Sequence, residues 1–300
     1  MRANYLPRQP RRNPVVRLVL TLFSVLTVAS ASAANDADDW CNLVGQRLST
    51  VRAMPCAKMG FKSASSRSIK GVALMTHEAP PSPPRKSASI ARSSRSTRIL
   101  VIGGIHGDEL TSTSIVFRWM QWLGEPEARQ HHWRIVPLAN PDGLLSDPPQ
   151  RMNANGVDLN RNFSTPDWQH DAHEYWSKRT RKDPRRFPGN KAGSEPETRW
   201  LQGEIESFRP DVIVSIHAPY GVLDFDGPAE EPRRFGHLRL NRLGIYPGSL
   251  GNYGGVHKNV PVITIELPNA NRMPPESEMQ DIWRDMLEWV DKNIVPGRLS

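Results

Sequence analysis

R-I-L-V-I-G-G-I-H-G-D-E-L, residues 98–110, is the stretch of sequence that decides the fold. Its unbroken apolar run over residues 99–102 predicts a buried strand, and the two glycines that follow mark where this strand ends. Residues 109–123 then carry apolar side chains at helical spacing, so the strand runs directly into a helix. This order places His106 and Glu109 after a strand, where open α/β sheets usually hold their functional sites.

A histidine and a carboxylate three residues apart can both reach one Zn²⁺ ion, which accepts imidazole nitrogen and carboxylate oxygen. By itself this spacing is equally typical of a hydrogen-bonded turn, so a metal site needs further ligands. Two more apolar runs, D-V-I-V-S-I-H and N-V-P-V-I-T-I-E-L, carry His217 and Glu266 at or near their ends. Because a parallel or mixed sheet gathers its strand ends in one crevice, the sequence predicts a two-histidine, one-glutamate zinc site with Glu266 as a spare carboxylate.

The first 33 residues have the features of an export signal. They hold five arginines and no acidic residue, then an apolar core over residues 18–29 and the small residues Ala31-Ser32-Ala33. An uncleaved membrane anchor is the alternative, although this apolar core is short for a membrane span. We therefore expect a periplasmic or secreted protein with no stable membrane span once the signal is removed.

Removal of the signal changes the charge of the chain. The full sequence has 39 Lys and Arg against 31 Asp and Glu, whereas residues 34–300 hold 34 against 31, a balance of +3. The basic excess therefore belongs largely to the signal, and it does not indicate nucleic-acid binding.

The two cysteines of the chain, Cys41 and Cys56, both lie in the segment 34–66, soon after the predicted signal. Export would bring them into an oxidising compartment, where we expect a disulfide between them. Two free thiols are the alternative, and neither cysteine has a sequence context that indicates a nucleophile.

Residues 67–300 are predicted to form one domain. Within it the stretch 79–97, rich in proline, serine and arginine, is expected to be a mobile surface connection. Residues 164–193 show no clear period and contain aromatic and basic side chains, so they are interpreted as an insertion that is either functional or disordered. Ser194 is expected to cap a helix that runs to about residue 208, and residues 275–294 predict a closing helix.

Six motifs follow one another between residues 99 and 267: H-G-D-E, N-P-D-G, R-M-N-A-N-G-V-D-L-N-R-N-F, S-E-P-E-T, S-I-H-A-P and I-T-I-E-L-P. In this order they resemble the zinc carboxypeptidases of the carboxypeptidase A superfamily (peptidase M14), in particular the bacterial branch that includes murein peptide amidase. The resemblance implies an α/β fold, a single carboxypeptidase-like domain with a mixed twisted central sheet flanked by helices on both faces.

The resemblance also implies a metal centre and a base. It assigns one Zn²⁺ per chain to His106, Glu109 and His217. It assigns general acid-base catalysis to Glu266, which would take a proton from the attacking water and return it to the leaving amine. Asp158 matches the carboxylate that hydrogen-bonds the first zinc histidine, and such a contact fixes the tautomer of the ring.

Three further positions match groups that contact the substrate in this family. Arg151 matches the arginine that polarises the scissile carbonyl and stabilises the oxyanion, while Asn160 and Arg161 match the pair that grips the terminal carboxylate. An arginine fork suits a carboxylate, so Arg161 can select a free chain end. Tyr246 fits the family's mobile tyrosine better than Tyr253 does, but its sequence context indicates no catalytic role.

The implied substrate is a peptide, in this branch the bond between γ-D-glutamate and meso-diaminopimelate in cell-wall peptides. Diaminopimelate carries an extra ammonium and an extra carboxylate on its side chain. Asp224 and Asp226 follow a zinc ligand by seven and nine residues in a segment framed by glycine and proline, so we expect one of them to meet that ammonium. A zinc-dependent deacylase of N-acyl amino acids and an inactive peptide-binding protein are the alternatives, and the intact Glu266 argues against the second.

Overall fold

The computed structural model describes residue 1, residues 36–82 and residues 95–297. The rest of the predicted export signal and residues 83–94 of the predicted surface connection lie outside the described residues. Within the described ranges, no helix combines the length and the apolar character that crossing a membrane requires.

A mixed sheet forms the centre of the fold. In chain order its nine strands are β1 Lys62–Arg67, β2 Ala73–Ala79, β3 Arg98–Ile102, β4 His132–Val136, β5 Val212–His217, β6 Val222–Asp226, β7 Arg234–Phe235, β8 Leu238–Leu240 and β9 Val262–Glu266. Their spatial order is β1-β2-β4-β3-β5-β9-β6-β8-β7. The central strands β4, β3, β5 and β9 run parallel, and β2 and β6 border them in the antiparallel sense.

Helices cover both faces of this sheet, which confirms the predicted fold class. They are α1 (36–47), α2 Ser49–Arg52, α3 Leu110–Met120, α4 Pro141–Leu145, α5 Trp168–Lys178, α6 Pro196–Phe208 and α7 Glu276–Asn293. A π-helical segment, Gly251–His257, and three short 3-10 turns, Cys56–Lys58, Leu159–Arg161 and Pro184–Arg186, complete the set.

The apolar run of β3 contributes to both hydrophobic cores. Ile99 and Val101 pack on the face covered by α3 and α7, and Leu100 and Ile102 pack on the face covered by α6. A strand that is buried on both faces needs apolar side chains at every position, which is why this segment shows no alternation. At roughly 1.5–3 kcal/mol for each fully buried side chain, this strand anchors the sheet.

The N-terminal part of the described chain joins the same sheet and core. β1 pairs with β2 at the edge of the sheet, and its polar sequence K-S-A-S-S-R gave no strand signal. The predicted disulfide is confirmed: Cys41 in α1 is bonded to Cys56, with their Cα atoms 5.7 Å apart. Trp40 packs against Phe61 and Phe117 close to this bridge, so the segment contributes to the larger core.

Two local predictions differ from the structure, and one short helix lies in a motif for which no element was predicted. Residues 164–193 contain α5 and a 3-10 turn, and α5 was missed although Trp168, Ala172, Tyr175 and Trp176 have helical spacing. N-P-D-G starts the short helix α4, capped by Asn140 through its bond to Gly143 N. Helix α6 begins at Pro196 after Glu195, so Ser194 is not its cap, and the Ser194 hydroxyl donates to Glu195 instead.

Candidate active site

Three parallel strands bring the predicted metal ligands together. His106 and Glu109 lie between the end of β3 and the start of α3, and His217 is the last residue of β5. Glu266 ends β9 and is the register partner of His217 across the two strands. Main-chain pairing thus fixes the spacing of the base and the third ligand, because neighbouring strands lie about 4.8 Å apart.

His106, Glu109 and His217 form a compact buried triad. The Glu109 carboxylate lies 2.7 Å from His106 Nδ1 through Oε1 and 3.0 Å from His217 Nδ1 through Oε2. The two Nδ1 atoms are 3.1 Å apart. One donor atom of each residue therefore lies within 4.8 Å of the others, a group that could hold one metal ion. Two imidazole nitrogens and a carboxylate match the ligand preference of zinc.

The far side of each imidazole ring is occupied by an acceptor. His106 Nε2 lies 3.1 Å from Asp158 Oδ1, and His217 Nε2 lies 3.0 Å from Ser215 Oγ. If each Nε2 carries the proton, both Nδ1 lone pairs are free and directed toward the triad, which is the tautomer that a metal site needs. Ser215 was missed in the sequence, although a residue two positions before His217 on a strand must share its face.

Basic neighbours offset the effect of burial on the pKa of two acids in the site, Glu109 and Asp158. Burial alone would raise the pKa of Glu109, but the two histidines hold it well below its ordinary value. Burial likewise acts against ionised Asp158, yet Arg151 and His106 hold its pKa well below the usual range. Glu266 differs, because burial raises its pKa and its Oε2 has no hydrogen-bond partner in the part of the chain that the structure describes.

Arg151 lies beside the triad. Its Nε donates to Asp158 Oδ2 at 3.0 Å, its Nη2 lies 2.9 Å from the same oxygen, and its Nη1 lies 3.6 Å from Glu109 Oε1. The Arg151 carbonyl accepts from Asn140 Nδ2 at 3.0 Å, which holds the loop against the start of α4. The sequence-predicted arginine is therefore close to the candidate metal centre.

Arg161 and Asn160 lie in the same pocket on a 3-10 turn. The Arg161 guanidinium carbon is 4.3 Å from the centroid of the Tyr246 ring, and its Nη1 donates to the Asn160 carbonyl at 2.6 Å. Its buried Nε has no partner among the described residues, and burial lowers the pKa of this arginine. Asn160 Oδ1 accepts from Leu250 N at 2.8 Å.

Of the two candidate tyrosines, only Tyr246 lines the pocket. Its hydroxyl donates to the Leu243 carbonyl. Tyr253 is buried in the π-helical segment and donates to Glu206 at 3.1 Å.

Asp224 and Asp226 lie on strand β6 and share the face that lines the pocket. Asp224 is buried, and its Oδ1 accepts from Phe225 N at 2.9 Å. Asp226 has no hydrogen-bond or ion-pair partner within the described ranges. A Cβ at Gly251 would lie 2.0 Å from its Oδ2, so only glycine leaves room for this carboxylate. Burial, with a smaller contribution from Asp224, raises the pKa of Asp226 to about 7.

Two pocket residues had no predicted role. Asp108 accepts from Arg185 Nη2 at 2.7 Å, and both side chains line the pocket together with the triad. The sequence placed Arg185 in a run of basic residues that is typical of a solvated surface. Its contact with Asp108 depends on how residues 164–193 fold back over the sheet.

Comparison with known proteins agrees with this geometry. The family model described as zinc carboxypeptidase (peptidase M14) matches residues 47–225. Murein peptide amidase A of Escherichia coli strain K12 is 32% identical over 209 residues, which cover 65% of this chain and 81% of that protein.

Solved structures show the same fold. The crystal structure of murein-tripeptide amidase MpaA from Escherichia coli O157 has a TM-score of 0.50 and 27% identity, and the match covers 77% of this chain and 92% of that one. Carboxypeptidase A from Helicoverpa armigera has a TM-score of 0.55 at 16% identity, covering 76% and 67% of the two chains, which supports the fold alone.

Proposed function

Because this chain belongs to the zinc carboxypeptidase family, we propose that it is a zinc-dependent hydrolase that cleaves the amide bond next to a free C-terminal carboxylate. One observation carries this proposal. A metal-compatible triad, an acid and a buried arginine line one pocket, and the acid Oε2 and the arginine Nε have no hydrogen-bond partner among the described residues. These are the groups that hydrolysis of such a bond requires.

His106, Glu109 and His217 would hold the zinc ion. Their buried donor atoms fit it, because the Nε2 atoms of both histidines already face oxygen acceptors. Bound zinc supplies Lewis acidity, which polarises a carbonyl and makes water more acidic. Asp158 and Ser215 hold the rings in the orientation and tautomer that ligation needs.

Glu266 would act as the general acid and base. Its unpartnered oxygen can accept a proton from the attacking water and then donate that proton to the nitrogen of the leaving amine. Burial raises its pKa toward the working pH, which suits a group that must both accept and release a proton. In the hydrolysis, the C–N bond breaks while a C–O bond forms, and water supplies both protons and the oxygen.

Arg151 and Arg161 would each bind a different negatively charged group during the reaction. Arg151, next to the triad, would stabilise the oxyanion that develops on the scissile carbonyl. Arg161, with Asn160, would bind the terminal carboxylate of the leaving residue. The ring of Tyr246 supports the Arg161 guanidinium from one side, so the fork is positioned before substrate arrives.

The substrate we favour is a cell-wall peptide with a γ-D-glutamyl–meso-diaminopimelate bond. The support is the relationship to proteins named murein peptide amidase. A second support is the unpaired carboxylate of Asp226, which can bind an ammonium group and has Asp224 beside it. An exported protein, in the periplasm or outside the cell, would encounter this substrate, and export is part of the proposal.

The test is direct hydrolysis. Purified protein, zinc-loaded or stripped with a chelator, is incubated with L-Ala-γ-D-Glu-meso-diaminopimelate, and released diaminopimelate is measured by mass spectrometry. Benzoylglycyl-L-phenylalanine and N-acetyl amino acids serve as comparison substrates. We expect release of diaminopimelate that requires zinc and is restored when zinc is added back.

Each other outcome has a distinct meaning. Faster hydrolysis of the N-acetyl amino acids would favour a deacylase. Tight tripeptide binding without turnover in the zinc-loaded protein would identify an inactive peptide-binding protein. Turnover that is unaffected by complete zinc removal would contradict the metal assignment.

A further inference from the structure

The 3-10 turn Pro184–Arg186 borders the metal-binding residues, and neither zinc binding nor proton transfer uses it. Its Arg185 contacts Asp108, which stands between His106 and Glu109 in the chain, so the guanidinium is held beside the candidate metal ligands. The Arg185 side chain is still 54% exposed. A guanidinium has five N–H donors, and among the described residues only Asp108 accepts from the guanidinium of Arg185, so most of the fork is open to a ligand.

The turn is held in place from several sides. Trp176 Nε1 donates to the Asp183 carbonyl at 2.7 Å, and the Asp183 carboxylate accepts from Arg185 N at 2.9 Å. The Phe187 ring packs edge-on against Trp176 with centroids 5.0 Å apart. The Phe187 carbonyl accepts from Asp158 N at 2.9 Å, which ties the turn to the residue that orients a metal-site histidine. A guanidinium on such a support loses little conformational entropy when it binds.

Neighbouring charged residues indicate toward which end of the pocket Arg185 and Arg186 each lie. Arg186 and Arg161 line the same pocket, and burial, with smaller contributions from Arg151 and Arg186, lowers the pKa of Arg161, so Arg186 lies toward the proposed site for the terminal carboxylate. Asp108, the partner of Arg185, directly precedes Glu109, and the Glu109 carboxylate lies 3.6 Å from Nη1 of Arg151, the group proposed to face the scissile carbonyl. Arg185 therefore lies toward the acyl side of the bond to be cleaved.

We propose that Arg185, held by Asp108, binds a free carboxylate on the acyl residue and so selects acidic acyl groups such as a γ-linked glutamate. This inference rests on the proposed hydrolysis of γ-glutamyl amides. In a γ-linked glutamyl residue the free α-carboxylate is four bonds from the scissile carbonyl carbon, roughly 5 Å in an extended chain. Most α-linked residues have a neutral amide or side-chain group there, which binds a guanidinium less strongly than a carboxylate does, whereas an α-linked glutamate has its side-chain carboxylate at the same number of bonds.

The experiment compares two substrates that differ in one group. These are L-Ala-γ-D-Glu-meso-diaminopimelate and its analogue with a carboxamide in place of the D-glutamate α-carboxylate. The zinc-loaded wild type should show a kcat/KM about 10-fold higher for the acid. This preference should shrink at high salt, because the site is partly exposed. Arg185→Gln should bring the ratio close to about 1, and Arg185→Lys, which keeps the charge without the fork, should fall between.

The matched control is Arg179→Gln, which removes an exposed arginine at the end of α5, outside the pocket. It should keep the wild-type ratio and melting temperature. Binding gives a second readout: in a Glu266→Gln background, calorimetry should show tighter binding of the acid than of the carboxamide. The additional Arg185→Gln change should remove this difference in Kd.

The outcomes separate this inference from the proposed function. Equal kcat/KM for the two substrates in the wild type would overturn the role of Arg185. So would an unchanged ratio in a folded Arg185→Gln protein, since Arg185 and Asp108 would then form only a surface ion pair. Hydrolysis of neither substrate by the zinc-loaded wild type would overturn the proposed function and this inference with it.

Discussion

The pocket has two walls of different construction. The strand-end wall consists of His106, Glu109, His217 and Glu266, which are buried and spaced by the main chain of parallel strands. The recognition wall consists of Arg161, Arg185, Tyr246 and Asp226, whose positions depend on turns, a loop and the far end of an antiparallel strand. The difference indicates a division of labour. Main-chain pairing fixes the spacing of the groups proposed to react, while the side chains proposed to bind the substrate could change without moving them.

The largest effect should come from Glu266→Gln. If the strand-end wall performs the chemistry, removing this acid should lower kcat by about 10³-fold on every substrate that the wild type cleaves. The zinc content of the purified protein should stay unchanged, because the three proposed ligands are intact. Steady-state kinetics and metal analysis together measure this, with Glu174→Gln on the exposed face of α5 as the control. A loss of activity confined to one substrate would instead indicate that Glu266 acts in substrate recognition.

Arg161→Gln should have the next largest effect, and it should depend on the substrate. Loss of a buried charged partner typically costs 2–5 kcal/mol, so kcat/KM for a peptide with a free C-terminal carboxylate should fall by about 100-fold. The matched substrate is the same peptide with an amidated C-terminus. The wild type should cleave it about 100-fold more slowly, and Arg161→Gln should add little further loss. Additive losses would show that Arg161 does not meet the terminal carboxylate.

These two walls were not equally predictable from the sequence. A short unbroken apolar run that ends at two glycines, such as that of β3, is typical of a strand buried on both faces, so its end, and His106 with it, could be placed in advance. His217 and Glu266 follow from the same logic. The disulfide between Cys41 and Cys56 followed from the expected compartment and was confirmed.

The recognition wall could not be derived in this way. The contact between Arg185 and Asp108 joins residues 77 positions apart, and it depends on where α5 and the following turn lie. The Asp226 side chain fits because the residue of the π-helical segment that faces it is Gly251. No local sequence pattern indicates that these two residues pack together. The edge strand β1 was missed because polar side chains suffice where a strand is buried on neither face.

Asp226→Asn should produce a smaller, selective change. Two substrates isolate the ammonium contact: γ-D-glutamyl-L-lysine, which has a side-chain ammonium, and γ-D-glutamyl-L-norleucine, which lacks it. The wild type should prefer the lysine substrate by about 10-fold in kcat/KM, since a hydrogen bond to a charged group contributes about 1.5–3 kcal/mol. Asp226→Asn should largely remove this preference.

Asp224→Asn is the comparison variant for this prediction. Asp224 is already hydrogen-bonded to the main chain, whereas the carboxylate of Asp226 has no such partner in the described ranges, so the Asp224 variant should keep most of the preference for lysine. If both variants keep the wild-type preference, the ammonium group does not meet this part of the recognition wall.

The smallest expected effect is a pH-dependent change in the stability of the Asp226→Asn variant. The folded-state pKa of Asp226, about 7, is above its ordinary value of 3.8, so the folded protein binds more protons than the unfolded chain between these values. The free energy of unfolding therefore falls as pH rises from about 4 to about 7, and the loss is complete above that range. Asp226→Asn should remove this loss. Because the carboxylate is partly open to solvent, screening limits the gain at pH 8 to about 1 kcal/mol.

Thermal unfolding of both proteins at pH 8 and pH 5 measures this difference. The variant should melt roughly 2–4 °C above the wild type at pH 8, and by clearly less at pH 5, where part of the penalty is absent. An equal gain at both pH values would mean that packing, and not charge, causes it. The expected pattern would show that the recognition wall holds an unpaired carboxylate at a cost in stability, as a group kept for a cationic substrate should be, while in the strand-end wall the two histidines stabilise the charge of Glu109.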